Sequence, residues 1–311
     1  MSMNNQDYVI ETIQLTKTYK TQNAIDHVSM HIKKGDIYGL IGKNGAGKTT
    51  LIKMITGLIE PTNGEVKVFG STNKKEHLNQ LRRVGSVVET PAAFPNLSAI
   101  DNLRYYCKSF GISDTSVAER TLKKVGLSDA GKKKFKNFSL GMKQRLGIAI
   151  ALLSQPDFLI LDEPINGLDP IGIIDFRELL VTLNKEENIT ILISSHILSE
   201  LYHVATCFGF INDGKVIQEV SKTEFDELCN EFIAVTLNDV ESAAVVLQNR
   251  YPDISLKVID QKTLRIFNHL SEAEDINYDL NHNQIKVSSI VKQGADLEIY
   301  FKELVGGEHH V

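Results

Sequence analysis

The chain has 311 residues, 42% of them hydrophobic, and a formal net charge of −5. That length holds one large domain or two modest ones, with enough apolar side chain for real cores, so a disordered chain is not expected. The acidic balance argues against a general nucleic-acid binder, and Cys107, Cys207 and Cys229, far apart and without CxxC spacing, suggest neither a disulfide framework nor a zinc site.

No run approaches the about 18 to 20 apolar residues that cross a bilayer. The opening MSMNNQDYVIETIQL has neither the basic nor the apolar stretch of a signal peptide. The chain therefore reads as cytosolic, reaching any membrane through a partner. His309 and His310 read as a solvated tail.

Alternation predicts strands over residues 8–15 and 27–32, with Tyr19 between them in the context TKTYK. The turn Gly35-Asp36 leads into an apolar strand, 37–41, and then into GKNGAGKTT, residues 42–50. A strand, a glycine-rich turn and an amphipathic helix in that order make a phosphate loop. Glycines let backbone N–H groups turn inward around an anion, and the helix N-terminus adds free donors. Gly42, Lys43, Asn44, Gly45, Ala46, Gly47, Lys48, Thr49 and Thr50 form this cradle. Lys48 is placed for the β- and γ-phosphates of a nucleoside triphosphate, and the Thr49 hydroxyl for Mg²⁺. The helix closes at Gly57, and PTNG at 61–64 turns into a strand over 65–69.

A strand over 84–89 ends at Thr90-Pro91, and the texture then turns helical. Ser98 with Asp101 resembles a capping box, and a second helix spans about 117–125. Lys132, Lys133, Lys134 and Lys136 form a basic run, read as a solvated loop. FSLGMKQR, 138–145, opens another helix. This section, about 90–155, is an inserted helical subdomain. Residues 158–161 form an apolar strand suited to a central parallel position, followed by Asp162-Glu163-Pro164. A helix over 171–183, a buried strand over 189–193 ending in Ser194-Ser195-His196, and strands at 208–211 and 216–220 complete a domain spanning 1–221. Beyond it, 222–311 reads as a small α+β domain. Its strands at 232–237, 255–259, 263–267 and 284–291, and helices at 240–250, 271–280 and 296–304, follow the β-α-β-β-α-β order of a ferredoxin-like unit.

Asp162 supplies the second metal carboxylate that a phosphate loop needs, and Glu163 can act as general base on a water at the γ-phosphate. His196, after a buried strand, can donate a hydrogen bond to that phosphate. Tyr19 is an aromatic ring that can stack on the base.

Together these residues resemble the ATP-binding subunit of an ABC transporter over about residues 8–220. FSLGMKQR, similar to that family's signature, is the decisive piece. The resemblance implies an α/β P-loop ATPase core that uses ATP and Mg²⁺. It implies an adenine contact at Tyr19, signature contacts at Ser139 and Gly141, and carboxylates at Asp162 and Glu163. It also implies a dimer-contact loop over 167–169 and a switch histidine at His196. Two copies would pack head to tail, the signature of one completing the phosphate site of the other. The partners implied are membrane permease subunits and a second copy, with no nucleic acid, at the inner face of the membrane. Three residues depart from the common pattern, one of them Met142, which stands where glutamine is common in the signature. Leu140 stands where glycine is usual and is expected to point away from phosphate. Glu89 stands where glutamine touches the metal site, and it resembles the subgroup serving lantibiotic self-immunity and bacitracin-type peptide export. The ending LEIYFKELVGG is similar to that subgroup too. The alternatives are a soluble ABC-type ATPase of translation or DNA maintenance, and an exporter of an unrelated substrate.

Overall fold

A computed structural model describes residues 8–71, 79–114, 116–229, 231–293, 300–302 and 304. Its internal contacts divide the chain into two compact units, Met1–Lys222 and Thr223–Val311.

The first unit contains two sheets. In the smaller, β1 (Tyr8–Tyr19) lies between β2 (Gln22–Lys33) and β4 (Asn63–Val68), all antiparallel. β1 and β2 run longer than their alternation predicts. Register shifts between Thr12 and Leu15, and again at Lys17, break the period of two, so the pattern fades while the pairing continues.

The larger sheet has the order β5-β6-β7-β3-β8-β9. Its strands are β5 (Val84–Val87), β6 (Phe158–Leu161), β7 (Thr190–Ser195), β3 (Ile37–Ile41), β8 (Cys207–Asn212) and β9 (Lys215–Ser221). Neighbours from β5 through β8 are parallel, and β8 and β9 are antiparallel. Every residue of β3, β6 and β7 is buried, which explains the apolar runs at 37–41, 158–161 and 191–193. Because these strands are parallel, the phosphate loop, Asp162-Glu163 and His196 all leave the same edge of the sheet, where ligands of open α/β sheets bind.

One close approach fixes the middle of this sheet. Tyr38 is fully buried on β3 and donates from its Oη to Glu219 Oε1 at 2.7 Å. A Cβ on Gly209 of β8 would lie 2.0 Å from that Oη, so only glycine fits beneath the ring.

Helices of this unit among the described residues include α1 (Lys48–Ile55), α2 (Ala99–Ser109), α3 (Ser116–Lys124), α4 (Leu140–Leu152), α5 (Pro170–Lys185) and α6 (Leu198–Tyr202). Ser98 caps α2 by accepting from Asp101 N at 3.2 Å. Buried Asn102 then accepts from Phe94 N and donates to Phe94 O and Ser98 O, which knits residues 94–98 onto the helix. α6 has too few residues to show a helical period and was not expected. The strand expected over 84–89 ends at Val87, and Glu89 has a left-handed backbone (φ 65°).

In the second unit, β10 (Phe232–Leu237), β11 (Leu256–Val258), β12 (Thr263–Ile266) and β13 (Val287–Gln293) form an antiparallel sheet ordered β11-β12-β10-β13. It is preceded by the unexpected helix α7 (Lys222–Cys229). With α8 (Val240–Arg250) and α9 (Ala273–His282) it has the β-α-β-β-α-β order of a split βαβ, ferredoxin-like fold. Ile233, Val235, Leu237, Leu247, Leu264, Ile266, Ile276 and Leu280 form its core. Alternation on β10 sends Ile233, Val235 and Leu237 to one face, which is why that strand is legible. Residues 300–302 and 304 are helical; the rest of the closing helix expected over 296–304, like His309 and His310, lies outside the described residues.

Candidate nucleotide site

The phosphate loop leaves β3 at Gly42 and enters α1 at Lys48. Two of its glycines are dictated by space. A Cβ on Gly42 would sit 2.4 Å from Ile211 O, and one on Gly47 would sit 2.8 Å from Ala24 O. Gly47 also has φ 110°, which side-chain-bearing residues rarely adopt. It precedes α1 without a side-chain cap, so the first-turn N–H groups are free for an anion.

Lys48 is 4% exposed. Its Nζ donates to Gly42 O at 2.6 Å and Lys43 O at 3.1 Å, and pairs with Glu163 Oε1 at 3.0 Å. Thr49 Oγ1 donates to Asp162 Oδ2 at 2.8 Å. Residues 113 apart in the chain are thus in direct contact. His196 Nδ1 lies 3.1 Å from Glu163 Oε2, so the ammonium and the imidazole flank one carboxylate. Glu163 itself has a left-handed backbone, φ 46°. A cavity of about 220 Å³ is lined by Ala24, Asn44, Gly45, Gly47, Lys48, Thr49, Thr50 and Glu163.

Two residues here were not foreseen. Ser194 is fully buried at the end of β7. It donates to Asp162 Oδ1 at 2.7 Å and accepts from Glu163 N at 2.9 Å, so one hydroxyl holds both acidic residues. Ala24, on the hairpin partner of β1, reaches the cavity wall. Tyr19 is half exposed, with Lys17 Nζ 5.3 Å from its ring centroid, and is not part of that lining.

Glu89, expected beside Thr49 and Asp162, has its carboxylate on Lys53 Nζ at 2.6 Å, one turn further along α1. That hydrogen bond holds the Lys53 ammonium above its ordinary pKa.

Ser139 and Gly141 stand elsewhere. Ser139 caps α4, its Oγ accepting from Met142 N at 3.3 Å. Both line a second cleft of about 560 Å³, together with Leu140, Gly167, Leu168 and Asp169. Leu140 is 44% exposed, and its Cδ2 lies 3.0 Å from where a Gly167 Cβ would be, so it packs on the 167–169 loop. The two clefts share no lining residue.

A parallel sheet that brings a glycine-rich loop, a buried lysine, a threonine and two carboxylates to one edge defines a P-loop nucleoside triphosphatase. Residues 25–166 match the ABC transporter family. The chain is 43% identical over 299 residues to the bacitracin transport ATP-binding protein BcrA of Bacillus licheniformis, covering 96% of this chain and 98% of the relative. It is 48% identical over 205 residues to the lantibiotic transport ATP-binding protein SrtF of Streptococcus pyogenes, covering 66% and 87%. A dimeric ATP-binding cassette solved in a post-hydrolysis state with ADP and Pi superposes with a TM-score of 0.60 at 26% identity, covering 68% of this chain and 98% of that one. The chain belongs to the ATP-binding proteins of ABC transporters, and it is an ATPase. Among the described residues, no helix is long and apolar enough to cross a membrane.

Proposed function

We propose that this chain hydrolyses ATP to drive a separate membrane permease that exports a peptide antibiotic, in lantibiotic self-immunity or bacitracin-type resistance. The observation that carries the catalytic part is the pairing of Asp162 with Thr49 and of Glu163 with Lys48 and His196. The names of the bacitracin and lantibiotic relatives support the substrate class, and Glu89 agrees with it.

The backbone N–H groups of residues 42–50 and the Lys48 ammonium hold the β- and γ-phosphates, with Tyr19 toward the adenine. Glu163 takes a proton from a water as the water oxygen bonds to the γ-phosphorus and the bond to the β,γ-bridging oxygen breaks. Lys48 neutralises charge on the departing ADP, and His196 orients Glu163 and donates toward the γ-phosphate. The Thr49 hydroxyl and the Asp162 carboxylate are hard oxygen donors in contact, and they fit Mg²⁺. Bound there, the ion would supply charge neutralisation at the phosphates. Glu89 approaches the same site when Lys53 releases it.

Ser139 and Gly141 do not line the phosphate-loop cavity of their own chain. This supports a head-to-tail dimer in which the N-terminus of α4 contacts the γ-phosphate held by the partner copy. The protein then sits at the inner face of the membrane, bound to its permease. The second unit is a docking or regulatory element.

Glu163→Gln tests the catalytic reading. The variant should bind ATP and dimerise while turnover falls on the order of 10²- to 10⁴-fold; full turnover would remove Glu163 as the base. Expression with its permease in a sensitive cell should raise tolerance to bacitracin or a lantibiotic, and unchanged tolerance to both would remove the substrate class.

A further inference from the structure

His196 follows β7 on a turn, and its Nδ1 stands 3.1 Å from Glu163 Oε2 with the side chain 28% exposed. An imidazole with that much open space keeps its distance to Glu163 only if the backbone beneath it is fixed.

Ser195, 3% exposed, does the fixing. Its Oγ accepts from Ile197 N at 3.0 Å, so the turn that carries His196 closes on this hydroxyl. The same Oγ donates to Glu200 Oε2 at 2.8 Å. A hydroxyl has one hydrogen and two lone pairs. With the hydrogen committed to Glu200, a lone pair is left facing the Ile197 N–H; without that acceptor the hydroxyl is free to rotate out of the turn. The main chain of Ser195 is tied as well, its carbonyl accepting at 3.3 Å from the N–H of Gly42, the first residue of the phosphate loop.

Glu200 is seated by its own helix. α6 has five residues, far too few to be stable alone. Leu201 is fully buried, and its Cδ1 lies 3.2 Å from where a Cβ on Gly39 would be, so the helix rests on β3, the strand that feeds the phosphate loop. Arg177 reaches across from α5, donating from Nε to Glu200 O at 3.0 Å and from Nη2 to Ser199 O at 3.1 Å. Carbonyls near a helix C-terminus lack intrahelical donors and favour a cation. One guanidinium therefore holds α6 by its end. None of Ser195, Glu200 and Arg177 lines the nucleotide cavity.

We propose that Glu200 is a positioning residue for ATP hydrolysis, fixing the place of the His196 imidazole through the Ser195 hydroxyl, with Arg177 seating the helix that presents it. The inference rests on the reading that His196 orients Glu163. The Glu200 carboxylate faces Ser195, so it acts at one remove from the phosphates, and its effect passes entirely through the histidine turn.

The test is steady-state ATPase on the full chain, with single and paired variants, at a temperature where circular dichroism shows each one folded. Glu200→Ala should lower kcat on the order of 10-fold and leave KM for ATP within about 2-fold, because the glycine loop and Lys48 are untouched. Glu200→Gln keeps an acceptor oxygen for Ser195 and should restore kcat to within about 3-fold of wild type. Ser195→Ala removes the hydroxyl in between and should match Glu200→Ala, so the outcome does not depend on one variant folding. His196→Ala alone should lower kcat on the order of 100-fold. Adding Glu200→Ala to it should cost less than about 2-fold more, since both changes disable the same group. Wild-type kcat in Glu200→Ala or Ser195→Ala, a raised KM in place of a lowered kcat, no recovery in Glu200→Gln, or a full further loss in the His196→Ala background would each overturn the proposal while leaving the role of His196 standing. Wild-type turnover by His196→Ala itself is the distinct result that would overturn the reading of His196, and the proposal with it.

Discussion

Replacing Ser194 by alanine removes a single oxygen from the catalytic edge of the sheet. That oxygen donates to Asp162 at 2.7 Å and accepts from Glu163 N at 2.9 Å, at a fully buried position. A hydrogen bond to a charged group contributes about 1.5–3 kcal/mol, and a buried N–H left unpaired costs a further ~1–3 kcal/mol. Partial relaxation offsets some of that, so the expected loss of stability is about 2–4 kcal/mol. The chemical effect is the more informative. Asp162 and Glu163 follow β6 in succession, and without Ser194 both are free to rotate away from Thr49 and Lys48. A displacement of about 1 Å at reacting groups costs on the order of 10²-fold in rate. We expect the kcat for ATP to fall ~10- to 100-fold, while KM, governed by the glycine loop and Lys48, shifts less than about 3-fold. Steady-state ATPase assays with a fluorescent-nucleotide binding curve separate the two, at a temperature where circular dichroism shows the variant folded. A folded Ser194→Ala protein with a kcat within about 2-fold of wild type would show that Ser194 does not position the carboxylates.

Two further outcomes concern stability. Gly209→Ala places a methyl group 2.0 Å from Tyr38 Oη, and the β-sheet backbone leaves the ring nowhere to go. Overpacking of this kind costs about 1–3 kcal/mol, read by urea denaturation, and a variant within ~0.5 kcal/mol of wild type would contradict the described packing. Asp114 has its carboxyl pKa lowered to about 2, first by the Ser116 hydroxyl and then by Arg120. Since the folded value lies below the ordinary aspartate value of 3.8, its contribution is present above pH 3.8 and is lost as pH falls through about 2. Acid titration followed by circular dichroism should therefore show Asp114→Asn converging on wild type at the bottom of that window and falling below it at the top; parallel curves throughout would refute the linkage.

Legibility in the sequence followed locality. Residues 37–50 announce themselves because an apolar strand, a glycine turn and a helix are consecutive. Asp162-Glu163 is readable for the same reason, as acids closing an apolar run. β10 was readable from strict alternation, and the order of the second unit from its spacing. What could not be read depends on register. Ser194 looks like the end of a strand until the pairing of Leu161 with Ile193 sets it beside Asp162. Ala24 carries no chemical signal, and only the folding of the β1–β2 hairpin brings it to the cavity. Asn102 resembles any polar helix residue until its bonds to residues 94–98 are seen. Glu89 stood out by type, but its ion pair with Lys53 joins residues 36 apart and leaves no trace in either segment. Irregular pairing within β1 hid the strand's length.

The central place of β3 has a consequence for how the chain is made. Gly35 N donates to Thr190 Oγ1, a residue 155 positions later, and the flanking strands β7 and β8 are both encoded in that distant region. A ribosome adding roughly 5–20 residues per second needs about 8–30 s to cover that interval. For that time the apolar residues of β3 have neither neighbour available, and the phosphate loop hangs from an unfinished sheet. A nascent chain of this protein therefore needs β3 shielded by the early β1–β2–β4 sheet or by a chaperone. Pauses placed between codons 60 and 190 would be expected to lower its yield more than pauses after codon 222.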